Sequence, residues 1–114
     1  MADLVPPDDL VALKAAWYAA DARAQQLAAV EPEGDQTIMR VPLPGRPDTP
    51  IRLFSQEQSA ALNAARAERL ELTLRLARHP WKAEQPDRHA AEKALNEAAF
   101  GLWTRTREDA PDPA

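Results

Sequence analysis

The residues best suited to hold a metal ion are the two histidines, His79 and His89, together with Glu92. His89 and Glu92 are three positions apart, so both would lie on one face of a helix. Protein metal sites usually have three or four protein ligands, and the chain offers no third histidine and no cysteine. We therefore predict no metal site and no other cofactor.

A second group with chemical potential is a basic run around a tryptophan, made of Arg75, Arg78, His79, Trp81, Lys82, Arg88 and His89. Positive charge around an aromatic ring can hold phosphates and stack a base. Four acidic residues lie among these positions and dilute the charge: Glu71, Glu84, Asp87 and Glu92. The same residues also fit a helix end whose basic side chains match the helix dipole and whose tryptophan covers the core. The sequence favours this second interpretation.

No group of residues indicates catalysis. Asp21 would lie at the rim of a helix pair near Arg66 or Arg69, which fits an ion pair between helices better than a pocket for an anion. No Asp or Glu lies in an apolar stretch that would raise its pKa. Ser55 and Ser59 lack the surroundings of an activated nucleophile, and no glycine loop for phosphate is present. We predict that the protein is not an enzyme.

The bulk composition describes one small domain. The chain has 114 residues, a formal net charge of −4 and no cysteine, so disulfides and thiolate chemistry are excluded. No apolar run approaches the ~20 residues of a membrane span, and the acidic, proline-containing N-terminus does not resemble a signal peptide. We expect a cytoplasmic protein with no membrane partner. Arginine far outnumbers lysine, a usage that we interpret as bacterial.

The stretch from Ser55 to Trp81 is predicted to form a long central helix. Ser55 and Gln58 have the spacing of a capping box, and Pro80 ends the helix. At about 100° per residue the helix carries two apolar rows, which are Leu62, Ala65, Leu72 and Leu76 in one and Ala67, Leu70, Leu74 and Ala77 in the other. Two rows predict a helix that is covered on both flanks.

Two further helices are expected on either side of the central one. The first runs from Pro7 to about Val30, with a 3-4-3-4 apolar spacing that contains Leu10, Leu13, Trp17, Ala20, Ala24 and Leu27. The third begins at Pro86 or Asp87 and runs to about Thr104, with its apolar stripe at Ala91, Ala94, Leu95, Ala98 and Leu102. Residues 79–85 are predicted to be a connector. Residues 1–6 and 105–114 are predicted to be disordered tails.

Residues 31–54 form a proline-rich arm between the first two helices, with five prolines and two glycines. Residues 37–43 and 51–54 are expected to be extended, with a turn over residues 44–48. A short β-hairpin and an extended loop are both compatible with this sequence, because proline cannot donate to a strand ladder. The apolar residues of the arm must be buried on the chain itself, on a second copy or on a partner. They are Ile38, Val41, Leu43, Ile51 and Phe54.

We therefore predict a single all-α domain over residues 1–114, in which a long antiparallel helical hairpin and a third helix carry the proline-rich arm. Residue numbers that face each other in the hairpin should sum to about 86, with the third helix on the other flank of the central helix. The expected function is protein–protein interaction by a non-enzymatic accessory or regulatory protein that self-associates as a homodimer. The candidate partner-binding residues are Ile38, Val41, Leu43, Ile51, Phe54, Leu62, Leu72 and Leu76. The alternative is nucleic-acid association through Arg75, Arg78, Trp81, Lys82 and Arg88.

Overall fold

The structure is a computed structural model that describes residues 4–109. It is mostly helical and contains one two-stranded antiparallel sheet. In chain order the elements are α1 (Asp8–Ala29), β1 (Thr37–Leu43), β2 (Arg46–Arg52), α2 (Gln56–Arg78), α3 (Trp81–Glu84) and α4 (Arg88–Asp109). The three predicted long helices are therefore present, and the sheet is the short β-hairpin that the sequence left open as one of two possibilities.

The ends of α1 and α2 follow from their capping residues. Asp8 and Asp9 occupy the first turn of α1, where carboxylates suit the positive end of the helix. At the start of α2 the Ser55 hydroxyl accepts from the Gln58 backbone N–H at 3.1 Å, and the Gln58 side chain accepts from the Ser55 N–H at 3.0 Å. This is the predicted capping box. The helix ends at Arg78, before Pro80, as predicted.

Helices α1 and α2 form an antiparallel pair. The His79 ring lies 3.1 Å from the Asp9 carboxylate at one end, and Arg69 donates to Asp21 at 2.8 Å near the middle. Facing residue numbers therefore sum to 88–90 rather than 86. Two core clusters lie along the pair. The first contains Leu10, Leu76 and Leu95, and the second contains Ala24, Leu62 and Ala65.

Helix α4 lies against α1 and not against the outer flank of α2, so the predicted position of the third helix is wrong. The most central helix is α1, because it contacts both α2 and α4. On the outer side of α2, Leu70 is 59% exposed and Leu74 is 46% exposed. One of the two leucine rows of α2 therefore faces solvent, and the prediction of a helix covered on both flanks is wrong as well.

Two segments that were expected to be irregular are helical. Residues 81–84 of the predicted connector form the single turn α3, and α4 continues through residues 105–109 of the predicted tail. Residues 4–6 have no regular structure. The remaining residues of the predicted tails, 1–3 and 110–114, lie outside the described part of the chain.

The arm is a β-hairpin and not an extended loop. β1 has the predicted bounds, but β2 begins five residues earlier than predicted, because the turn contains only Pro44 and Gly45. Gly45 has φ 77°, a left-handed conformation that glycine adopts without a steric cost. The molecule measures 62 × 32 × 27 Å, and its radius of gyration of 19.6 Å far exceeds the ~13 Å of a compact domain of this size. The protein is therefore strongly elongated.

Candidate interaction site

The base of the arm is fixed to α2 by one side chain. Besides closing the capping box, Gln58 accepts from the Glu33 backbone N–H at 2.7 Å and donates to the Glu31 carbonyl at 2.8 Å. Two backbone hydrogen bonds continue this anchorage, from Gly34 to the Leu53 carbonyl at 3.0 Å and from Leu53 to the Gln36 carbonyl at 3.1 Å. The glycine is needed because a Cβ at position 34 would collide with the Leu53 carbonyl oxygen.

Beyond this base, the strands of the arm contact each other and no helix within the described residues. Met39 pairs with Ile51 and Val41 pairs with Thr49. Because both pairs are two positions apart on each strand, their side chains share one face of the hairpin. Arg40, paired with Pro50, lies on the opposite face, where it contacts Asp48 at 3.2 Å. The hairpin therefore has an apolar face and a charged face.

The apolar face is covered only by itself. Val41 and Ile51 are half-buried, whereas Met39 is 54% exposed. Ile38 and Leu43 are also exposed. An open cavity of ≈ 680 Å³ is lined in part by Pro32, Leu43 and Ile51. Four of the five predicted arm residues, Ile38, Val41, Leu43 and Ile51, are thus placed on a hairpin that no helix covers.

The remaining predicted partner-binding residues lie in the interior of the bundle. Phe54 packs against the second core cluster, and Leu62, Leu72 and Leu76 are buried. The three leucine side chains are therefore not accessible to a partner in the folded chain, and their burial does not support their prediction as interface residues. Phe54 is half-buried. The sequence could not distinguish the two leucine rows, because both have the helical spacing. The row that remains accessible contains Leu70 and Leu74.

The basic residues of the alternative hypothesis are partly engaged by acidic neighbours, and two of them, Lys82 and Arg88, line one small cavity with His79 and Glu92. Arg75 donates to Glu71 at 2.7 Å, Lys82 donates to Glu92 at 2.7 Å, and Trp81 packs against the first core cluster. Arg78 and Arg88 are exposed. Glu71 and Glu92 thus offset two of the basic side chains. Nucleic-acid association stays a prediction that nothing in the structure tests.

The predicted contact of Asp21 with Arg66 or Arg69 is present as the Arg69–Asp21 ion pair. Its two side chains are 34% and 24% exposed, so the pair is partly shielded from solvent. Beside it, the Trp17 indole donates to the Thr73 hydroxyl at 2.9 Å, and that hydroxyl donates to the Arg69 carbonyl. These contacts fix the register of α1 against α2.

A group of aromatic side chains on α1 and α4 was not predicted. Tyr18 stacks on Trp103 with ring centroids 5.9 Å apart, and Phe100 contacts both rings edge-on at 5.6–5.7 Å. The predicted apolar stripe of α4 omitted Phe100 and Trp103, because at about 100° per residue both lie well outside it. Their spacing of three positions is the sequence signal that could have identified them.

Three charged side chains interact near these rings: Lys14, Lys82 and Glu92. The Lys82 ammonium donates to the Glu92 carboxylate, which lowers the pKa of Glu92 below its ordinary value of 4.5. Lys14 lies over the Trp17 ring at 4.6 Å, and burial lowers the pKa of this lysine. Burial also raises the pKa of Tyr18.

The described residues contain no group of three or more potential metal ligands. No described helix is long and apolar enough to cross a membrane.

The fold therefore defines a mostly helical domain with a projecting β-hairpin. A family model described as a domain of unknown function, DUF8825, matches residues 9–98. This match covers most of the chain, and the protein belongs to that family. No curated protein and no solved structure matches the chain significantly.

Proposed function

We propose that the protein is a non-enzymatic accessory or regulatory domain that binds a protein partner through the apolar face of its arm and self-associates through a helix face. The observation that carries this proposal is the hairpin Thr37–Arg52, which projects from the bundle without packing on any helix. A two-stranded hairpin without further packing is at best marginally stable in water. A partner that covers its apolar face would supply the missing burial.

The chemistry of the arm favours binding through its face rather than its edges. Pro42 lies within β1 and Pro50 within β2, and neither can donate a backbone hydrogen bond to an added strand. The ladder also has irregularities between Thr37 and Met39 and between Val41 and Leu43. Prolines and bulges are features that discourage the addition of another strand at a sheet edge.

The charge of the arm indicates the kind of partner surface that would fit. The hairpin carries Arg40, Arg46 and Arg52 and one acidic residue, Asp48, which pairs with Arg40. An apolar groove with an acidic rim would match both the face and the surrounding arginines, because complementary charge favours encounter and orientation. We therefore expect the partner to present such a groove.

Site-specific photo-crosslinking tests the proposal. A photoreactive side chain replaces Met39 on the apolar face, and a matched variant carries it at Arg40 on the charged face. In extract from the source organism, position 39 should give one dominant adduct with a protein, and position 40 should give much less of it. Competition with excess unmodified chain should remove the adduct. Equal labelling from both positions, or no adduct that competes, would argue against binding through this face.

A second variant pair separates binding from folding. Met39→Ser with Ile51→Ser removes the apolar face, whereas Arg40→Ser with Asp48→Ser removes the ion pair of the opposite face. Neither pair touches a core cluster, so the helical circular dichroism should stay unchanged in both. We expect only the first pair to lose the crosslinked partner in a pull-down.

A further inference from the structure

The outer side of α2 carries a row of six exposed residues at alternating spacings of three and four. The row consists of Ala60, Asn63, Ala67, Leu70, Leu74 and Ala77. Such spacing is the seam of a coiled coil, in which the positions called a and d face the partner helix. The a positions are Ala60, Ala67 and Leu74, and the d positions are Asn63, Leu70 and Ala77. The small alanines would allow a close approach, and the two leucines are the large apolar side chains of the row.

The seam is sterically free in the single chain. At about 100° per residue, it lies nearly opposite the row of α2 that contains Leu62, Leu72 and Leu76. Those residues are buried on the side of α1, and α4 lies against α1. Neither of the other long helices therefore obstructs a helix that approaches the seam.

We infer that α2 pairs with α2 of a second copy of this chain, in a parallel and in-register coiled coil along this seam. The inference deepens the proposed function, since it rests on the self-association proposed there. It is independent of the arm, which would project from the same end of both copies. The arm and the seam of α2 are therefore two separate binding surfaces of the chain, and each would have its own partner.

The charges that flank the seam support the parallel arrangement. Arg66 immediately precedes the a residue Ala67. Glu71 immediately follows the d residue Leu70 and lies five residues after Arg66. In a parallel pair these two positions lie next to each other across the interface. Arg66 would thus pair with Glu71 of the second copy, and the symmetry of the dimer would create this contact twice. Both side chains are exposed in the single chain, where Glu71 also accepts a hydrogen bond from Arg75 on its own helix.

An antiparallel pair would lose this complementarity. When the whole seam overlaps, Arg66 would face Thr73 and Glu71 would face Ala64, so neither charge finds a partner of opposite charge across the interface. When the helices shift by one heptad in either direction, Glu71 faces Glu71 or Arg66 faces Arg66. Like charges in such positions are destabilising. Charge therefore selects the parallel form.

Asn63, the one polar residue of the seam, also favours the parallel arrangement, independently of the flanking charges. In the parallel in-register pair, Asn63 faces Asn63 of the second copy, and the two side-chain amides can bond to each other. At an a position a single asparagine specifies the register of a coiled coil. Asn63 takes a d position, where pairing of the two amides would favour the same in-register alignment. In the antiparallel pair with full overlap, Asn63 would face Leu74, which would leave a covered amide without a partner at a cost in stability.

Disulfide crosslinking tests the arrangement, and the native chain is suited to it because it has no cysteine. Ala60→Cys places one thiol at the seam near the start of α2. The two thiols are adjacent in the parallel pair, but in the antiparallel pair position 60 faces position 77, which separates them by about 25 Å. A disulfide requires Cα atoms within about 7 Å. Glu68→Cys, on the exposed flank of α2, is the matched control.

We expect rapid oxidation of Ala60→Cys to a covalent dimer and slow oxidation of Glu68→Cys at the same protein concentration. Equal rates would show random collision and would overturn the inference. A fast crosslink only in a mixture of Ala60→Cys and Ala77→Cys would establish the antiparallel form and overturn the parallel one. That result would leave the proposed self-association intact.

Analytical ultracentrifugation with charge variants provides the second measurement. Arg66→Glu or Glu71→Arg alone should raise the dimer dissociation constant by about tenfold, because two attractive contacts become repulsive. The double exchange should restore it to within about twofold. A wild-type chain that remains monomeric at several hundred micromolar would overturn this inference and the proposed self-association together, and would leave binding through the arm to its own test. A wild-type dimer that none of these variants weakens would overturn only the seam.

Discussion

Leu74 and Leu76 provide a matched pair of substitutions, because they lie two residues apart on the same helix and face opposite sides. Leu76 is 6% exposed and belongs to the cluster with Leu10 and Leu95. Leu74 is 46% exposed on the outer side of α2. Substitution of either leucine by alanine changes the helix propensity equally. Any difference in stability therefore reports on packing alone.

The structure sets the size of the expected difference. At position 76, alanine removes buried methyl groups and leaves a cavity between three helices, which should cost about 3 kcal/mol. At position 74, only about half of the side chain is covered, so the loss should be about 0.5–1 kcal/mol. The free energies of unfolding should therefore differ by about 2–3 kcal/mol. In a domain of this size the melting temperatures should then differ by about 10 °C.

Urea unfolding followed by circular dichroism measures both variants against the wild type. The protein should be held at about 2 µM, because self-association would add stability through mass action. If α4 covered the outer flank of α2, as the sequence suggested, the two variants would lose similar free energies. Equal losses would therefore refute the placement of α4 on α1.

Three further predictions concern the caps, the charges and the arm. Ser55→Ala should lower the free energy of unfolding by about 1 kcal/mol, since it opens the capping box of α2; urea unfolding measures this. Because the Lys82 contact lowers the pKa of Glu92, the ion pair stabilises the fold above pH 4.5 and loses this effect as the pH falls through the lowered pKa. Glu92→Gln should thus cost up to about 0.5–1 kcal/mol at pH 7, and progressively less toward pH 3. Gly34→Ala should displace the Leu53 carbonyl, so that the arm amides exchange with deuterium about tenfold faster while the helical dichroism is unchanged.

Matched controls exist on the same elements. Ser59→Ala, one turn into α2, should leave stability nearly unchanged, and Glu97→Gln on the exposed side of α4 should show no comparable pH dependence. Gly101→Ala should stabilise α4 by up to about 1 kcal/mol, because no atom but a flexible arginine side chain lies near its Cβ position. A pH-independent loss in Glu92→Gln, or slow arm exchange in Gly34→Ala, would contradict the contacts described for these residues.

Local features of the fold were predictable from the sequence, because single residues determine them. The Ser55 and Gln58 capping box, the helix end before Pro80 and the Asp21–Arg69 contact all depend on short spacings or on one helix pair. The bounds of β1 were also predictable. The start of β2 was not, because the tight turn at Gly45 depends on how the two strands pair rather than on turn composition alone.

The partner of each helix face was not predictable, because spacing identifies an apolar row without indicating what covers it. The rows of Leu72 and of Leu74 have equal periodicity, yet α1 buries only the first. Helix α4 lies on α1 because Leu95 joins Leu10 in the core and because Phe100 and Trp103 surround Tyr18. The prediction assigned the second leucine row of α2 to this helix, and it therefore placed α4 on the wrong neighbour.

Hydrogen–deuterium exchange across the arm tests the central claim most directly. At a concentration where the chain is monomeric, amides of Thr37–Leu43 and Arg46–Arg52 should exchange at least about a hundredfold faster than those in the middle of α2. In the complex with the protein captured by crosslinking at position 39, the same amides should become protected while those of α4 do not change. Arm amides that exchange as slowly as α2 in the monomer, or that gain no protection in the complex, would contradict the assignment of the arm as the partner-binding surface.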